Sequence, residues 1–262
     1  MGEIERLERI FSLYRSDSEI LHLNRGGRLD GPSHDFRLLL GEAQRYGNLS
    51  GGAFDVTVQP LWRLYSSHFA ARPEPSEGPG RKEIEQARSL VDYRGIDLDN
   101  GRAVLAHRNM EVTLNGMAQG YITDRIADML RDAGMTDVLV DMGEIRVLDG
   151  GTWKVGVQDP RQPGRTIREL SVGGGAVATS AGMGSKFDGA GRFHHLFDPA
   201  AGVSADNCLS ATAIARTAME ADALATALAV SPVEEAKNLV RAFRGQRAII
   251  VMADGGIEEI EA

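Results

Sequence analysis

The sequence predicts an α+β fold. Helical periodicities fall in clusters, and so do strand-like segments. The two do not alternate in the strand–helix–strand order that a parallel sheet requires. The 42% apolar and 25% charged residues of this 262-residue chain are ordinary globular composition, enough for one large domain or two tightly joined lobes.

The elements follow in chain order. Ile4, Leu7, Phe11 and Tyr14 recur at intervals of 3, 4 and 3, one face of a helix. Ser16-Asp17-Ser18-Glu19 has capping-box spacing and predicts a second short helix. Ser33 opens a third, with Phe36, Leu39, Leu40 and Ala43 on one face and Gly47 at its end. Positions 66–81 hold three prolines and two glycines and read as a surface loop. A short helix is expected over 83–91. Ile96-Asp97-Leu98, the Asn100-Gly101 turn and Ala103-Val104-Leu105 form a hairpin signal. Ala118, Ile122, Ile126, Met129 and Ala133 mark a helix ended by Gly134. Strands are then expected at 138–140, 145–148, 153–157, 167–172, 176–179 and 193–197, followed by 209–214. Thr217-x-x-Glu220 caps a helix containing Ala221, Leu224, Ala225 and Leu228. Ser231-Pro232-x-Glu234 opens the next, with Gly245 closing it; 248–252 is the last expected strand, and Asp254-Gly255-Gly256 a turn.

Composition excludes several classes. The net charge is −8 with no basic stripe, against a nucleic-acid partner. The single cysteine, Cys208, rules out a disulfide framework and a Cys-rich zinc site, and reads as a small buried residue. No apolar run reaches the roughly 18 residues of a membrane span. Met1-Gly2-Glu3-Ile4-Glu5-Arg6 is polar, neither a signal peptide nor a myristoylation signal.

Four segments could carry chemistry, each with a plain structural alternative. In Ser50-Gly51-Gly52-Ala53-Phe54-Asp55, the glycines allow a ligand close to the backbone, and Asp55 could accept bonds from a hydroxyl or ring N–H; the alternative is a glycine turn into a strand. In Thr113-Leu114-Asn115-Gly116-Met117-Ala118-Gln119, a strand ends and a helix begins, offering free N–H groups to an anion; the alternative is an ordinary turn. His194 and His195, adjacent on an expected strand, face opposite ways and do not share a metal; a hydrogen-bonded structural histidine is the alternative. Asp222 and Thr226, one turn apart on a helix, present two hard oxygen donors suited to Mg²⁺, or else a helical Asp with a back-bonded Thr.

Taken in order, four blocks resemble the ApbE family of FAD:protein FMN transferases. They are 13–20 (LYRSDSEI), 51–61 (GGAFDVTVQPL), 115–121 (NGMAQGY) with 140–144 (VDMGE), and 195–199 (HLFDP) with 221–227 (ADALATA). The likeness spans nearly the whole chain. The wording around Leu114–Tyr121 is most similar to the NosX branch, associated with nitrous oxide respiration.

The resemblance implies two intimately packed lobes with a ligand cleft between them, forming one transferase domain over 1–262. It implies binding of FAD and Mg²⁺, cleavage of the FAD pyrophosphate, transfer of FMN to a Thr of a partner flavoprotein, and release of AMP. A membrane-bound redox subunit such as a NosR-like protein is the implied acceptor, and the periplasm or cell envelope the implied location. By motif position, Tyr14 flanks the FAD, Ala53, Phe54 and Asp55 line its pocket, and Thr113, Gln119 and Phe197 touch it. The Gly116 carbonyl, Asp222 and Thr226 hold the metal. His195 lies beside the transferring phosphate. Either His195 or Asp222 could take the proton of the target hydroxyl. The family has a strand before the first helix, carrying a Met-Gly-Thr motif; the expectation is that this strand is missing. Two other readings use the same residues: an FAD pyrophosphatase giving FMN and AMP, and a flavin-binding protein without catalysis.

Overall fold

The computed structural model describes residues 2–71 and 77–262. The fold is α+β with antiparallel sheets, as the sequence predicts. The chain forms two compact units: Met1–Asn115 with Ser185–Ser204, and Gly116–Gly184 with Ala205–Ala262.

The first unit is mainly helical. Helix α1 (Glu3–Phe11) buries Leu7, Ile10 and Phe11. Tyr14 lies beyond its end and is 85% exposed, so it does not continue the helical face. Helix α2 (Glu19–Gly26) is capped by Ser18, not Ser16: the Ser18 hydroxyl accepts the Leu21 N–H. Helix α3 (His34–Leu49) starts at Ser33 as expected, but runs through Gly47, which faces Tyr93. Helix α4 (Gln59–Ala71) overturns much of the expected loop at 66–81. Leu61, Tyr65 and His68 give it a buried face of helical period, and Pro60 sits in the first turn, where no N–H is needed. The prolines at 73 and 75 lie outside the described residues. Helix α5 (Arg81–Arg88) begins two residues earlier than expected, where the Glu83 carboxylate accepts the Gly80 N–H at 2.8 Å.

Strands β1 (Arg28–Asp30), β2 (Ile96–Leu98) and β3 (Arg102–Leu105) form a small antiparallel sheet with β3 central. The predicted hairpin is β2–β3, with Leu98 opposite Ala103; β1 is an addition the sequence analysis missed.

The second unit holds a six-stranded antiparallel sheet. It contains β4 (Leu139–Asp141), β5 (Ile145–Val147), β8 (Gly175–Ala181), β11 (Ser210–Ala215), β12 (Arg247–Val251) and β13 (Ile257–Glu261), with order β13-β12-β11-β8-β5-β4. Strand β13 was not expected. Its Ile-Glu-Glu-Ile-Glu pattern suits an exposed edge, where charges oppose edge-to-edge pairing. Strands β6 (Trp153–Gln158) and β7 (Thr166–Val172) form a separate hairpin. Its Val155, Val157, Leu170 and Val172 pack with Val147, Val177, Ile214 and Ile249 of the large sheet. Each such side chain contributes about 1.5–3 kcal/mol when fully buried.

Helix α6 (Ala118–Asp132) packs on β4 and β5. Helix α7 (Ala218–Val230) lies on β8 and β11 and is buried nearly all round. Its alanines and the small residues of β11 let helix and sheet approach closely. Helix α8 (Ala236–Ala242) follows a 3₁₀ turn at Val233–Glu235.

The expected strand at 193–197 does not form. Of that segment only Phe197 lies in a strand, the two-residue β9 (Phe197–Asp198) paired with β10 (Val203–Ser204), and His194 makes a single bridge to Lys186. Strand alternation therefore does not orient the two histidines; their rings lie 6.5 Å apart at 71°.

Candidate functional site

In the first unit, the Gly51-Gly52 turn takes left-handed φ angles of 62° and 94°. The Ser50 hydroxyl accepts the Phe54 N–H at 2.9 Å. This turn sends Phe54 inward, edge-on to Tyr46 at 5.9 Å, and leaves Ala53 half-buried. Residues 56–58 continue as turn and extended chain, not as a strand.

Asp55 accepts three bonds from its own unit. Oδ1 takes the Thr57 N–H at 2.7 Å and the Thr57 hydroxyl at 2.6 Å; Oδ2 takes the Tyr93 N–H at 3.0 Å. Burial raises its carboxyl above the ordinary value, and these donors oppose the shift. Thr113 joins the same neighbourhood, its N–H donating to the Val56 carbonyl at 2.7 Å. Just before it, Asn24 clamps Val112 through both an N–H···O and a C=O···H–N bond at 2.8 Å.

Phe197 is buried in an aromatic cluster, 5.0 Å from Tyr65 and 6.1 Å from Phe187. His195 is half-buried, and its Nδ1 lies 3.0 Å from the Ser185 carbonyl. A carbonyl only accepts, so Nδ1 carries the hydrogen, and neutral His195 keeps its lone pair on Nε2. Burial lowers its pKa, and the bond to Ser185 works against that.

The second unit holds Gly116, Gln119, Asp222 and Thr226. Gly116 precedes α6 in a turn. Gln119 donates from Nε2 to the Met142 carbonyl at 2.6 Å. Gly143 follows with φ +99, and a Cβ there would occupy the Gln119 amide. Thr226 shares a hydroxyl–hydroxyl bond of 3.3 Å with Ser180 of β8.

Asp222 is 5% exposed in an alanine-rich helix. Its Oδ2 accepts the Gly120 N–H at 3.2 Å. Gly120 lies in the first turn of α6, where amides have no partner within the helix. Asp222 therefore caps α6 from α7. Asp124 of α6 does the converse: its oxygens accept the Ala218 N–H at 2.8 Å and the Met219 N–H at 2.9 Å, in the first turn of α7. Arg146 pairs with Asp124 at 3.3 Å. Gly120 is required at this crossing, since a Cβ would stand 2.4 Å from the Ala218 carbonyl oxygen.

Burial raises the Asp222 carboxyl well above the ordinary range, and repulsion from Glu144 adds to it. Glu144 is pushed up to about 7 by burial and by Asp141, despite a bond from the Thr179 N–H. Its Oε2 is buried with no hydrogen-bond partner among the described residues. Two crowded carboxylates and an orphaned oxygen fit a cation. Among the described residues, no three His, Cys, Asp or Glu side chains converge as a metal cage. A cation here would rely on hydroxyl, carbonyl or substrate oxygens besides Asp222, as Mg²⁺ commonly does.

Sequence reasoning missed Asp124, Arg146 and any role for Glu144. Gly120-x-x-x-Asp124 carries helical spacing, but its partners lie about a hundred residues away. Cys208 is half-buried, and burial pushes its thiol up to about 11, which disfavours the thiolate.

The comparisons agree with this architecture. The chain resembles a crystal structure of an ApbE protein from Thermotoga maritima with a TM-score of 0.86 and 29% identity, over 98% of this chain and 85% of that one. It resembles the flavin transferase ApbE from Vibrio cholerae with a TM-score of 0.82 and 26% identity, over 98% of this chain and 85% of that one. A Vibrio cholerae FAD:protein FMN transferase is 29% identical over 98% of this chain and 79% of its own length. One from Haemophilus influenzae is 29% identical over 94% and 75%. The fold is thus that of the flavin transferases. The ApbE family model matches residues 1–251, and the chain belongs to the ApbE family.

Proposed function

We propose that this chain is a Mg²⁺-dependent FAD:protein FMN transferase. The observation that carries the reading is Asp222, a carboxylate buried in an alanine helix beside a second, incompletely satisfied carboxylate, in a chain of this family.

In the proposed reaction, the hydroxyl oxygen of an acceptor Thr attacks the phosphorus on the FMN side of the FAD pyrophosphate. The new P–O bond forms as the bond to the bridging oxygen breaks, and AMP leaves with that oxygen. His195 Nε2 takes the hydroxyl proton; its lone pair is set by the Nδ1 contact with Ser185. Of the two candidate bases, His195 is the choice here, because Asp222 is assigned to the cation. Asp222, Thr226 and the Gly116 carbonyl would hold Mg²⁺, which neutralises pyrophosphate charge when bound. Ala53, Phe54 and Asp55, in a turn held by Ser50, Thr57 and Tyr93, are proposed to line the flavin pocket. Tyr14, Thr113, Gln119 and Phe197 are proposed as further FAD contacts.

The acceptor is proposed to be a flavoprotein with a target Thr, such as a NosR-like redox subunit, and the reaction to occur in the cell envelope. No helix among the described residues is long and apolar enough to cross a membrane. The test is AMP release from FAD and Mg²⁺, with and without such an acceptor. A transferase releases AMP in step with acceptor labelling. AMP and free FMN without acceptor would identify a pyrophosphatase, and no AMP a flavin-binding protein.

A further inference from the structure

We propose that Asp124 is a positioning residue for the cation-binding carboxylate of Asp222. The proposal rests on the cation reading given above and adds a residue that touches neither cation nor FAD. Asp222 can place an oxygen toward a cation only if the start of α7 is fixed against α6. The Asp124 carboxylate makes that connection, with one oxygen on each of the Ala218 and Met219 amides. Ala218 lies one turn before Asp222 on α7, as Gly120 lies one turn before Asp124 on α6. Each helix therefore supplies the acid that closes the other helix's first turn. The helices cross closely at Gly120, where a Cβ would meet the Ala218 carbonyl.

Three features separate this device from an ordinary helix cap. Helix α7 already has a local cap, since the Thr217 hydroxyl accepts the Glu220 N–H at 3.2 Å. Asp124 bridges to another helix, and its charge is balanced by Arg146, which is itself fixed by bonds to the Val147 and Gly175 carbonyls at 2.7 Å. The register it sets ends at Asp222, whose Oδ2 is taken by Gly120 while Oδ1 has no protein donor among the described residues. Partners that orient a ligating group from outside typically change metal affinity about 10–100-fold when removed.

The test is Mn²⁺ binding by electron paramagnetic resonance, in the presence of ADP as a pyrophosphate probe, alongside thermal unfolding without metal. Four chains are compared: wild type, Asp124→Asn, Thr217→Val and Asp222→Asn. Both cap variants lower the unfolding midpoint. Only Asp124→Asn is expected to weaken Mn²⁺ as well, about tenfold or more, with Thr217→Val binding as wild type. If Asp124→Asn does not fold, Arg146→Gln removes the ion pair that holds the Asp124 carboxylate against the two amides and is expected to weaken Mn²⁺ in the same direction. Wild-type affinity in a folded Asp124→Asn, or in the substituting Arg146→Gln, with loss in Asp222→Asn, overturns the positioning role alone. Wild-type affinity in Asp222→Asn overturns the cation reading, and the positioning role falls with it.

Discussion

Asp222 and Asp124 each cap the helix that carries the other. One bond runs from the Gly120 amide to Asp222, and two run from the Ala218 and Met219 amides to Asp124. First-turn amides carry the positive end of the helix dipole, so both carboxylates gain a favourable field where their burial is unfavourable. This exchange makes a buried acid tolerable in α7 and leaves one of its oxygens without a protein donor among the described residues.

Replacing Asp222 by Asn keeps an acceptor for Gly120 and removes the charge. We expect a folded protein whose AMP release falls about 10²–10³-fold, the usual effect of losing one preorganised charge-stabilising group. Thr226→Ala is expected to lose less, since a hydroxyl supplies no charge. FAD binding by fluorescence quenching should persist in both. Wild-type turnover in Asp222→Asn would remove Asp222 from the mechanism.

Gly120→Ala tests the helix crossing. The added methyl meets the Ala218 backbone, which cannot rotate away. Overpacking of this kind costs about 1–3 kcal/mol. Thermal unfolding should show a lower midpoint, and Mn²⁺ binding should weaken with it.

Glu144 makes stability depend on pH. Its carboxyl is raised from the ordinary 4.5 to about 7, so between those values the native state binds the proton that the unfolded chain releases. Stability therefore falls as pH rises through that window and levels off above it. Chemical denaturation of Glu144→Gln should show a flatter profile and greater stability than wild type at alkaline pH, without metal. A remaining slope of the same sign is shared by the other carboxyls that burial raises, Asp222, Asp124, Asp55 and Glu111.

His195 sets a different limb. Its pKa is lowered below 6.5 by burial, so it stays neutral at neutral pH and gains a proton only in more acid solution. At saturating Mg²⁺, turnover should fall as pH drops below the ordinary histidine range. His195→Gln should lose that limb and about 10²–10⁴ in rate.

Asp55→Asn places an amide NH₂ where one carboxylate oxygen now accepts, facing either the Tyr93 N–H or the two Thr57 donors. An unsatisfied buried donor costs about 1–3 kcal/mol. Weaker FAD binding with an earlier unfolding midpoint is expected, and unchanged unfolding would show that the three bonds contribute little.

Local signals were legible in the sequence. Ser33 and Thr217 announced their helices because capping is a matter of three residues, and Asn100-Gly101 announced its hairpin for the same reason. Asp222 was legible as an acid among alanines. Helix α4 was obscured because its end runs into proline-rich chain, and β13 because an edge strand carries charges like those of a tail. The reciprocal caps were not legible at all. Asp124 and its partners lie 94 and 95 positions apart, and helical spacing says nothing of the amide a side chain will meet.

The most direct test of the account is the intact mass of an acceptor flavoprotein after incubation with this chain, FAD and Mg²⁺. The account predicts a gain of one FMN joined through a phosphoester, mapped by fragmentation to a Thr, with one AMP released per acceptor. The gain should be lost when Asp222→Asn replaces the wild-type chain. An acceptor of unchanged mass while wild-type chain converts FAD to AMP and free FMN would contradict it.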